Sequence, residues 1–387
     1  MRPQLSSRLQ ELFAENFTQH GDIGASVSVW QHGREVFSAA AGHRDRDRTL
    51  PWTADTRILA WSATKGVAAG TFLAVMEEEH IGLDRRVAEF WPSFAAAGKG
   101  QITLAELLSH QAGLCGVRTP GISILDHDGV AAALAAQALE WPPGQGSGYH
   151  TRTFGFLLDE ILRRLTGRSL AKLWRELFGD PLQLDFWIGL PPELVEDTAP
   201  VFPARNPGNL NDDPFWRAMA DPESLTRLAF NTPGGLPGVA SMNTPAAHLA
   251  EIPSMGGIGT AQALAKWYAV LANGGQMDGR RFVSKATIAT MSTPLVSGPD
   301  VVLLQPLVFS AGFMQDPVGP DGRKTRQLFG PSTSAFGHPG AGGSHAFADP
   351  ENELSFAYLM NQMEIGSFPN AKSLRLVEAI YAGLEAD

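Results

Sequence analysis

The two ends of this 387-residue chain carry the same sequence pattern, and the middle carries a different one. Near the N-terminus, GASVSVWQHGREVFSAAAG alternates apolar and polar residues around a turn at 31–34, which predicts an antiparallel hairpin. Near the C-terminus, SHAFADPENELSFAYLMNQ does the same around 349–352. A helix is predicted beside each hairpin, over residues 4–20 and 370–385. The economical fold is therefore a mainly antiparallel sheet built from both chain ends and flanked by helices.

The middle of the chain is predicted to be largely helical. We therefore predict an α+β protein in which residues 1–75 and 255–387 form a discontinuous sheet domain, residues 76–254 form an inserted domain, and the active site lies between them. Residues 190–254 are rich in Pro, Gly and Asn and too long for an ordinary connection, which predicts a wall or lid over a site. Helical periodicity is clearest in ITLAELLSH, GVAAALAAQALE, TFGFLLDEILRRLTG and SLAKLWRELFG.

Composition excludes several classes of protein. With 44% hydrophobic and 18% charged residues, the chain can bury a large core. The net charge of -10 is spread along the sequence, which disfavours a nucleic-acid partner. No apolar run is long enough to span a membrane, and the N-terminal stretch lacks the apolar core of a signal peptide. The single cysteine, Cys115, excludes an internal disulfide, so a cytoplasmic protein is expected, with a homo-oligomer left open.

A serine and a lysine stand three residues apart where an apolar helix begins. The stretch AWSATKGV contains Ser62 and Lys65, and the helix is predicted to end at a left-handed cap at Gly82. A helix start disfavours a cation, so Lys65 needs another reason to be there. At this spacing Lys65 can reach the Ser62 hydroxyl, and burial would lower the pKa of its amine towards that of a usable base. The S-x-x-K pattern also occurs by chance, so it does not establish a nucleophile alone.

Two further stretches add to this pattern. Tyr149 lies in PPGQGSGYHTRTFGF, after a Gly-rich loop and before a helix, where a side chain can project into a cleft. His338-Pro339-Gly340 lies in FGHPGAGGSHAF, where glycine next to a strand allows close approach of another backbone or a ligand.

Taken together, Ser62-Ala63-Thr64-Lys65, Tyr149-His150-Thr151 and His338-Pro339-Gly340 resemble the three motifs of the serine β-lactamase and DD-peptidase superfamily. Their order and wide spacing resemble in particular the esterase branch related to class C β-lactamases, the family VIII carboxylesterases. Flanking text such as ITLAELLSHQAGL and LLDEILRRLTGRSL is similar as well, so the resemblance covers residues from about 4 to 385.

The resemblance implies roles for individual residues. Ser62 would be the nucleophile that becomes acylated, and Lys65 and Tyr149 would be catalytic as a coupled acid and base, with the base left unassigned. The backbone N–H groups of Ser62 and Ala341 would form the oxyanion hole.

Departures from the lactamase motifs bear on the substrate. His338, Gly340 and Thr151 are the expected substrate-binding positions, and two of them differ from the family pattern. Lactamases usually carry lysine where His338 stands and asparagine where Thr151 stands, and a neutral imidazole and a hydroxyl are weaker anchors for an anionic amide. A small, short-chain carboxylic ester is therefore the expected substrate. A β-lactamase or DD-peptidase type amide hydrolase, an acyltransferase and a non-catalytic scaffold remain as alternatives.

Other stretches match known catalytic motifs less well. Ser241-Met242-Asn243 and Lys324-Thr325-Arg326 approximate the second and third motifs of class A enzymes, but Arg326 replaces the required glycine. No G-x-S-x-G, H-E-x-x-H, C-x-x-C or P-loop pattern occurs, so we expect no metal and no cofactor. His110 is interpreted as structural. An apolar wall for the acyl or alcohol group could come from Phe202, Phe215, Trp216 and Phe230.

Overall fold

The structure is a computed structural model that describes residues 2–205, 210 and 212–385. The predictions that include Met1, residues 206–209 and 211 of the lid segment, and residues 386–387 therefore lie partly outside the described residues. The helices in chain order are α1 (Pro3–Thr18), α2 (Thr64–Glu78), α3 (Val87–Phe90), α4 (Leu104–Leu108), α5 (His127–Ala136), α6 (Phe154–Thr166), α7 (Leu170–Trp174), α8 (Pro214–Ala220), α9 (Leu225–Asn231), α10 (Val239–Met242), α11 (Pro245–Leu249), α12 (Ala261–Ala272), α13 (Lys285–Ser292) and α14 (Ala371–Glu385).

The strands are short away from the two chain ends. They are β1 (Gly24–Gln31), β2 (Arg34–Gly42), β3 (Ile58–Leu59), β4 (Phe186–Ile188), β5 (Gly257–Gly259), β6 (Gln276–Met277), β7 (Arg280–Arg281), β8 (Val296–Pro299), β9 (Pro306–Phe309), β10 (Met314–Gln315), β11 (Phe336–Gly337), β12 (His345–Asp349) and β13 (Leu354–Met360).

The main sheet joins the two ends of the chain. Its order is β2-β1-β13-β12-β11-β10-β9-β8, with antiparallel neighbours throughout. The N-terminal strand β1 pairs with the C-terminal strand β13, with Val27 opposite Tyr358. The predicted sheet built from both chain ends is therefore confirmed.

Each face of this sheet is covered by helices, because alternate residues of β13 point to opposite sides. Phe356 and Tyr358 pack with Phe13 of α1 and Leu376 of α14 in one hydrophobic cluster. Ala357 and Leu359 belong to the other cluster, which includes α12, and the Ser355 hydroxyl donates to a backbone carbonyl of that helix. The result is a layered α+β architecture, as predicted.

Helix α2 is buried from Thr64 to Met76 and connects the sheet layer to the helical part. It contacts α6 and α7, and its close packing against α12 depends on glycine. A Cβ on Gly70 would lie 2.5 Å from the Trp267 ring. The helix ends at Glu78, and His80 rather than Gly82 adopts the left-handed conformation, with φ 54°. The predicted cap at Gly82 is therefore wrong.

The segment 190–254 contains more regular structure than its composition indicates. Helices α8, α9, α10 and α11 lie within it, each between four and seven residues long. Side-chain caps begin several of them, as when Asp213 accepts from the Phe215 and Trp216 N–H groups. The division of the chain at residues 75/76 and 254/255 stays a prediction.

Among the described residues, no helix is both long and apolar enough to cross a bilayer. The same residues contain no group of three or more His, Cys, Asp or Glu side chains arranged to hold a metal ion.

Candidate active site

A tight turn presents Ser62 at the start of α2. Residues Trp61–Ala63 form a single 3-10 turn, and Trp61 has φ 53°, a left-handed conformation that is unusual for a tryptophan. The turn is held from outside, because Ala60 N–H donates to the Gly257 carbonyl and Gly257 N–H donates to the Thr64 hydroxyl, each at 2.8 Å. Ser62 therefore lies on a fixed backbone, immediately before the helix, as the sequence predicts.

Lys65 is fully buried behind this serine. Its Nζ lies 3.3 Å from the Ser62 Oγ and donates to the carbonyls of Thr151 and Ser254, each at 2.8 Å. Burial holds the pKa of Lys65 well below its ordinary value, and no neighbouring carboxylate in the described part of the chain opposes that shift. The site thus contains a lysine whose environment favours the neutral amine.

Tyr149 faces the same serine from the other side. Its ring lies 4.8 Å from Lys65 Nζ and stacks on Phe309, and its hydroxyl lies 3.4 Å from His338 Nε2. Burial raises the pKa of Tyr149, and a hydrogen bond with Ser62 partly opposes this rise. Burial of Tyr149 therefore favours the neutral phenol in the resting site.

Asp300 positions Tyr149, and sequence reasoning missed it. Its carboxylate accepts from the Tyr149 N–H at 3.2 Å and from the Ser147 hydroxyl at 2.9 Å. It also accepts from the N–H groups of Val302 and Leu303, so it ties two distant loops together. Burial raises the pKa of this carboxyl, while these hydrogen bonds oppose the rise. No motif marks Asp300, and only the fold brings it to Tyr149.

His338 has a defined tautomer. Its Nδ1 lies 2.8 Å from the Pro339 carbonyl, which can only accept, so Nδ1 carries the hydrogen and Nε2 is left to accept from the Tyr149 hydroxyl. Burial lowers the pKa of His338 to about 3. The side chain is only 1% exposed, whereas the predicted role was substrate binding. That role stays a prediction, and the position favours a contact with Tyr149 instead.

Gly340 and Ala341 follow on the same strip of backbone. A Cβ on Gly340 would lie 2.3 Å from the Ala60 carbonyl, so glycine is needed for the close approach to the serine turn. Ala341 begins the 3-10 turn Ala341–Gly343 and lies on the wall of the cleft. For the described residues, the structure gives the N–H groups of Ser62 and Ala341 no backbone acceptor outside their own helical turns. Two donors at helix starts thus remain available beside the serine.

Thr151 and His110 occupy different surroundings. Thr151 lines the cleft, and its carbonyl rather than its hydroxyl contacts Lys65. His110 is buried, accepts from the His150 N–H at 3.1 Å and packs against Phe309, in line with a structural role.

The residues of the two alternative motifs make contacts away from the cleft. The Ser241 hydroxyl donates to the Gly238 carbonyl within its own turn, and Asn243 bonds the backbone of Val201. Lys324 is paired with Asp316 at 3.2 Å. None of the three lines the cleft beside Ser62.

The cleft itself is small and mostly apolar. Its cavity volume is about 120 Å³, and the cationic side chain on its wall is Arg152, whose guanidinium donates to the carbonyls of Pro233 and Leu236. Its lining comprises Trp61, Ser62, Tyr149, Thr151, Arg152, Phe230, Met255, Leu303, Met314, Pro339, Ala341 and Ser367.

Comparison with known proteins places this chain in a family. The family model described as Beta-lactamase matches residues 9–379. The chain is 33% identical to esterase/beta-lactamase LipL of Mycobacterium tuberculosis (strain ATCC 25618 / H37Rv), over 91% of this chain and 80% of that protein. The chain belongs to the β-lactamase family, and the fold class predicted from the sequence is confirmed.

Two solved structures are similar over their full length. The crystal structure of a family VIII carboxylesterase superimposes with a TM-score of 0.88 at 35% identity and covers 98% of both chains. A penicillin-binding protein homologue from Caulobacter crescentus gives a TM-score of 0.86 at 36% identity, also covering 98% of both chains. The predicted resemblance to the esterase branch is therefore confirmed, and the chain is a hydrolase.

Proposed function

We propose that this protein hydrolyses small, uncharged carboxylic esters through an acyl-enzyme on Ser62. The observation that carries the proposal is the 3.3 Å separation of Ser62 Oγ from the Nζ of a buried lysine that has no carboxylate partner among the described residues. A serine is a useful nucleophile when an adjacent base takes its proton. A lysine with a lowered pKa is such a base near neutral pH.

The hydrogen bonds of Lys65 support its assignment as the base for acylation. A neutral amine has two N–H groups and one lone pair, and the carbonyls of Thr151 and Ser254 account for both N–H groups. The lone pair is then free to accept the proton of Ser62 as Oγ bonds to the ester carbonyl carbon. The resulting oxyanion receives hydrogen bonds from the N–H groups of Ser62 and Ala341.

Collapse of the intermediate requires an acid. Tyr149, whose pKa is raised by burial, gives its hydroxyl proton to the alcohol oxygen as the carbon–oxygen bond breaks, and the Lys65 ammonium returns a proton to Tyr149. Water then attacks the acyl-enzyme with the proton movements reversed, which releases the carboxylic acid and restores Ser62. Each turnover thus consumes one ester and one water and leaves the protein unchanged.

The walls of the cleft favour esters over β-lactams. The third motif presents no cation to the cleft, because His338 is buried and neutral, and Thr151 contributes no carboxamide. A β-lactam nevertheless remains a second candidate substrate, for one structural reason. Burial lowers the pKa of Arg152 only to about 10, so a guanidinium charge persists at the cleft and could attract a carboxylate.

Nitrophenyl esters and a chromogenic cephalosporin, assayed side by side, test the proposal. We expect kcat/KM for the best short ester to exceed that for the cephalosporin by at least about tenfold, the scale of one lost charged anchor. A fluorophosphonate should label Ser62, as read by peptide mass spectrometry, and Ser62→Ala is the matched control. A cephalosporin turned over as well as the best ester would make the protein a β-lactamase.

The remaining expectations stay proposals. We propose a cytoplasmic protein that acts on a small-molecule ester, without a nucleic-acid partner and with no cofactor, and whose oligomeric state is open. Adding alcohol acceptors and measuring whether product shifts from acid to new ester distinguishes a hydrolase from an acyltransferase.

A further inference from the structure

A second apolar pocket adjoins the cleft. Its cavity volume is about 220 Å³, larger than that of the cleft itself. Aromatic and aliphatic side chains form its walls, among them Phe215, Trp216, Met219, Phe230, Met363 and Ile365. We call this pocket the annex.

The annex and the cleft share part of their lining. Phe230, Ala341 and Ser367 line both cavities, so they mark the boundary that a bound group would cross. The aromatic part of the annex is packed rather than loose, because the Phe215 ring makes edge-to-face contacts with Trp216 at 5.3 Å and with Phe230 at 5.2 Å between ring centroids. The annex is therefore a formed pocket beside the cleft, on the side of the lid segment.

The placement of the catalytic groups decides which half of an ester can enter it. The alcohol oxygen must lie within reach of its proton donor, and Tyr149 lines the cleft but not the annex. Ala341, whose N–H is proposed to hold the carbonyl oxygen, lines both. The chain attached to the carbonyl carbon therefore lies on the annex side, and the alcohol lies on the Tyr149 side.

The charges around the annex exclude an anionic chain. Glu364 is the ionisable residue on its wall, and it is paired with Lys372 at 3.0 Å. Lys372 also pairs with Asp22 at 2.7 Å, so among the described residues that line the annex no cation is free to neutralise a further carboxylate.

We propose that the annex binds an uncharged apolar acyl chain several carbons longer than acetyl. This inference rests on the proposed ester cleavage at Ser62 and adds the substrate class that this site prefers. Burying each additional methylene should raise kcat/KM by about fourfold until the chain reaches the end of the annex.

Two series of esters test this directly. In the first, nitrophenyl acetate, butyrate, hexanoate and octanoate vary only the acyl chain. In the second, acetates of alcohols of increasing length vary only the leaving group. We expect kcat/KM to rise at least about tenfold from acetate to hexanoate in the first series and to change little in the second.

Filling the annex provides the matched comparison. Met219→Trp adds an indole to the annex wall, whereas Ala220→Trp adds the same group at an exposed position on the same helix. The hexanoate to acetate ratio of kcat/KM should fall about tenfold in the first variant and stay at the wild-type value in the second. Ile365→Trp adds an indole to the annex lining from a different segment of the chain and replaces Met219→Trp should that variant unfold.

The outcomes separate this inference from the proposed function. Hydrolysis of acetate with kcat/KM falling along the acyl series would overturn the annex proposal and leave ester cleavage at Ser62 intact. A rise along the alcohol series alone would overturn its assignment to the acyl chain. Absence of hydrolysis in both series, together with absence of fluorophosphonate labelling, would overturn both proposals.

Discussion

The two walls of the cleft differ in almost every physical respect. The wall that carries Lys65, Tyr149 and His338 is fully buried, and each of these groups is held in its neutral form by burial. A second wall, which we call the lid wall, carries Phe230 and leads to Phe215 and Trp216. These side chains are half-buried and apolar, and they belong to the short helices α8 and α9. We therefore propose that the first wall moves protons and that the second excludes water and binds apolar groups.

The comparison shows how one cleft separates chemistry from specificity. Proton transfer needs fixed donors and acceptors, and the buried wall is anchored by hydrogen bonds that Tyr149, His338 and Lys65 donate to oxygen atoms of Asp300, Pro339 and Ser254 respectively. Substrate selection needs a surface that can change without disturbing those contacts. We therefore expect substitutions on the buried wall to act on kcat and substitutions on the lid wall to act on KM.

Removing the nucleophile should give the largest effect. Ser62→Ala should lower ester turnover by about 10^4-fold or more, because Ser62 carries the hydroxyl that lies next to the Lys65 amine. The protein should stay folded, since Ser62 is half-buried on a turn held by the backbone of Gly257. Steady-state assays and thermal unfolding measure both. Turnover near that of the wild type would refute the assignment of the site.

Substitution of the coupled pair Lys65 and Tyr149 should give the second largest loss of activity. Lys65→Ala and Tyr149→Phe should each lower kcat by at least about 10^2-fold, because each removes one half of the proton path. The double variant should lose much less than the product of the two, since groups that act as a unit are not additive. A double-mutant cycle on kcat measures this. Multiplicative losses would mean that one of the two residues has been misassigned.

Burial of His338 should also make the stability of the protein depend on pH. Burial lowers the pKa of His338 to about 3, while the unfolded chain binds a proton near pH 6.5. Stability is therefore complete above pH 6.5 and falls as the pH drops below it, because only the unfolded state takes up the proton. Between pH 6.5 and 5 the loss from this residue should be about 2 kcal/mol.

Urea unfolding at pH 7 and pH 5 checks this effect. His338→Gln can keep both hydrogen bonds without titrating, so its free energy of unfolding should fall less than that of the wild type over this interval. Phe230→Ala, on the lid wall, should keep the full pH dependence. An identical loss in His338→Gln and in the wild type would show that His338 does not contribute.

The parts of this molecule that depend on local sequence were predictable. Ser62 and Lys65 are three residues apart, so helical geometry alone brings the amine to the hydroxyl. The hairpins at the chain ends alternate in polarity, and their pairing into one sheet follows from the need to bury both apolar faces.

The parts of the molecule that depend on contacts between residues far apart in the sequence were not predictable. Asp300 contacts Tyr149 although the two residues are 151 positions apart, and no sequence motif around Asp300 indicates that contact. His338 was predicted to bind substrate, which stays a prediction, and the sequence did not indicate that the fold buries its ring beside Tyr149. The helix end was predicted from Gly82, yet His80 accepts the left-handed conformation two residues earlier. Local preference thus yields to packing wherever the two compete.

The lid wall gives the smallest effect and the sharpest test of the difference between the walls. Phe230→Ala removes the ring that lines both the cleft and the annex. The lost apolar contact should raise KM for a hexanoate ester by about tenfold while kcat changes little, since no proton donor or acceptor moves.

Phe202→Ala is the matched control, because Phe202 belongs to the same segment but lines neither cavity. Its ring packs under the Arg46 guanidinium, whose central carbon lies 4.7 Å from the ring centroid. Steady-state kinetics on the two variants separate KM from kcat. A loss in kcat as large as that of Tyr149→Phe would show that the lid wall takes part in the chemistry, and the division between the two walls would have to be given up.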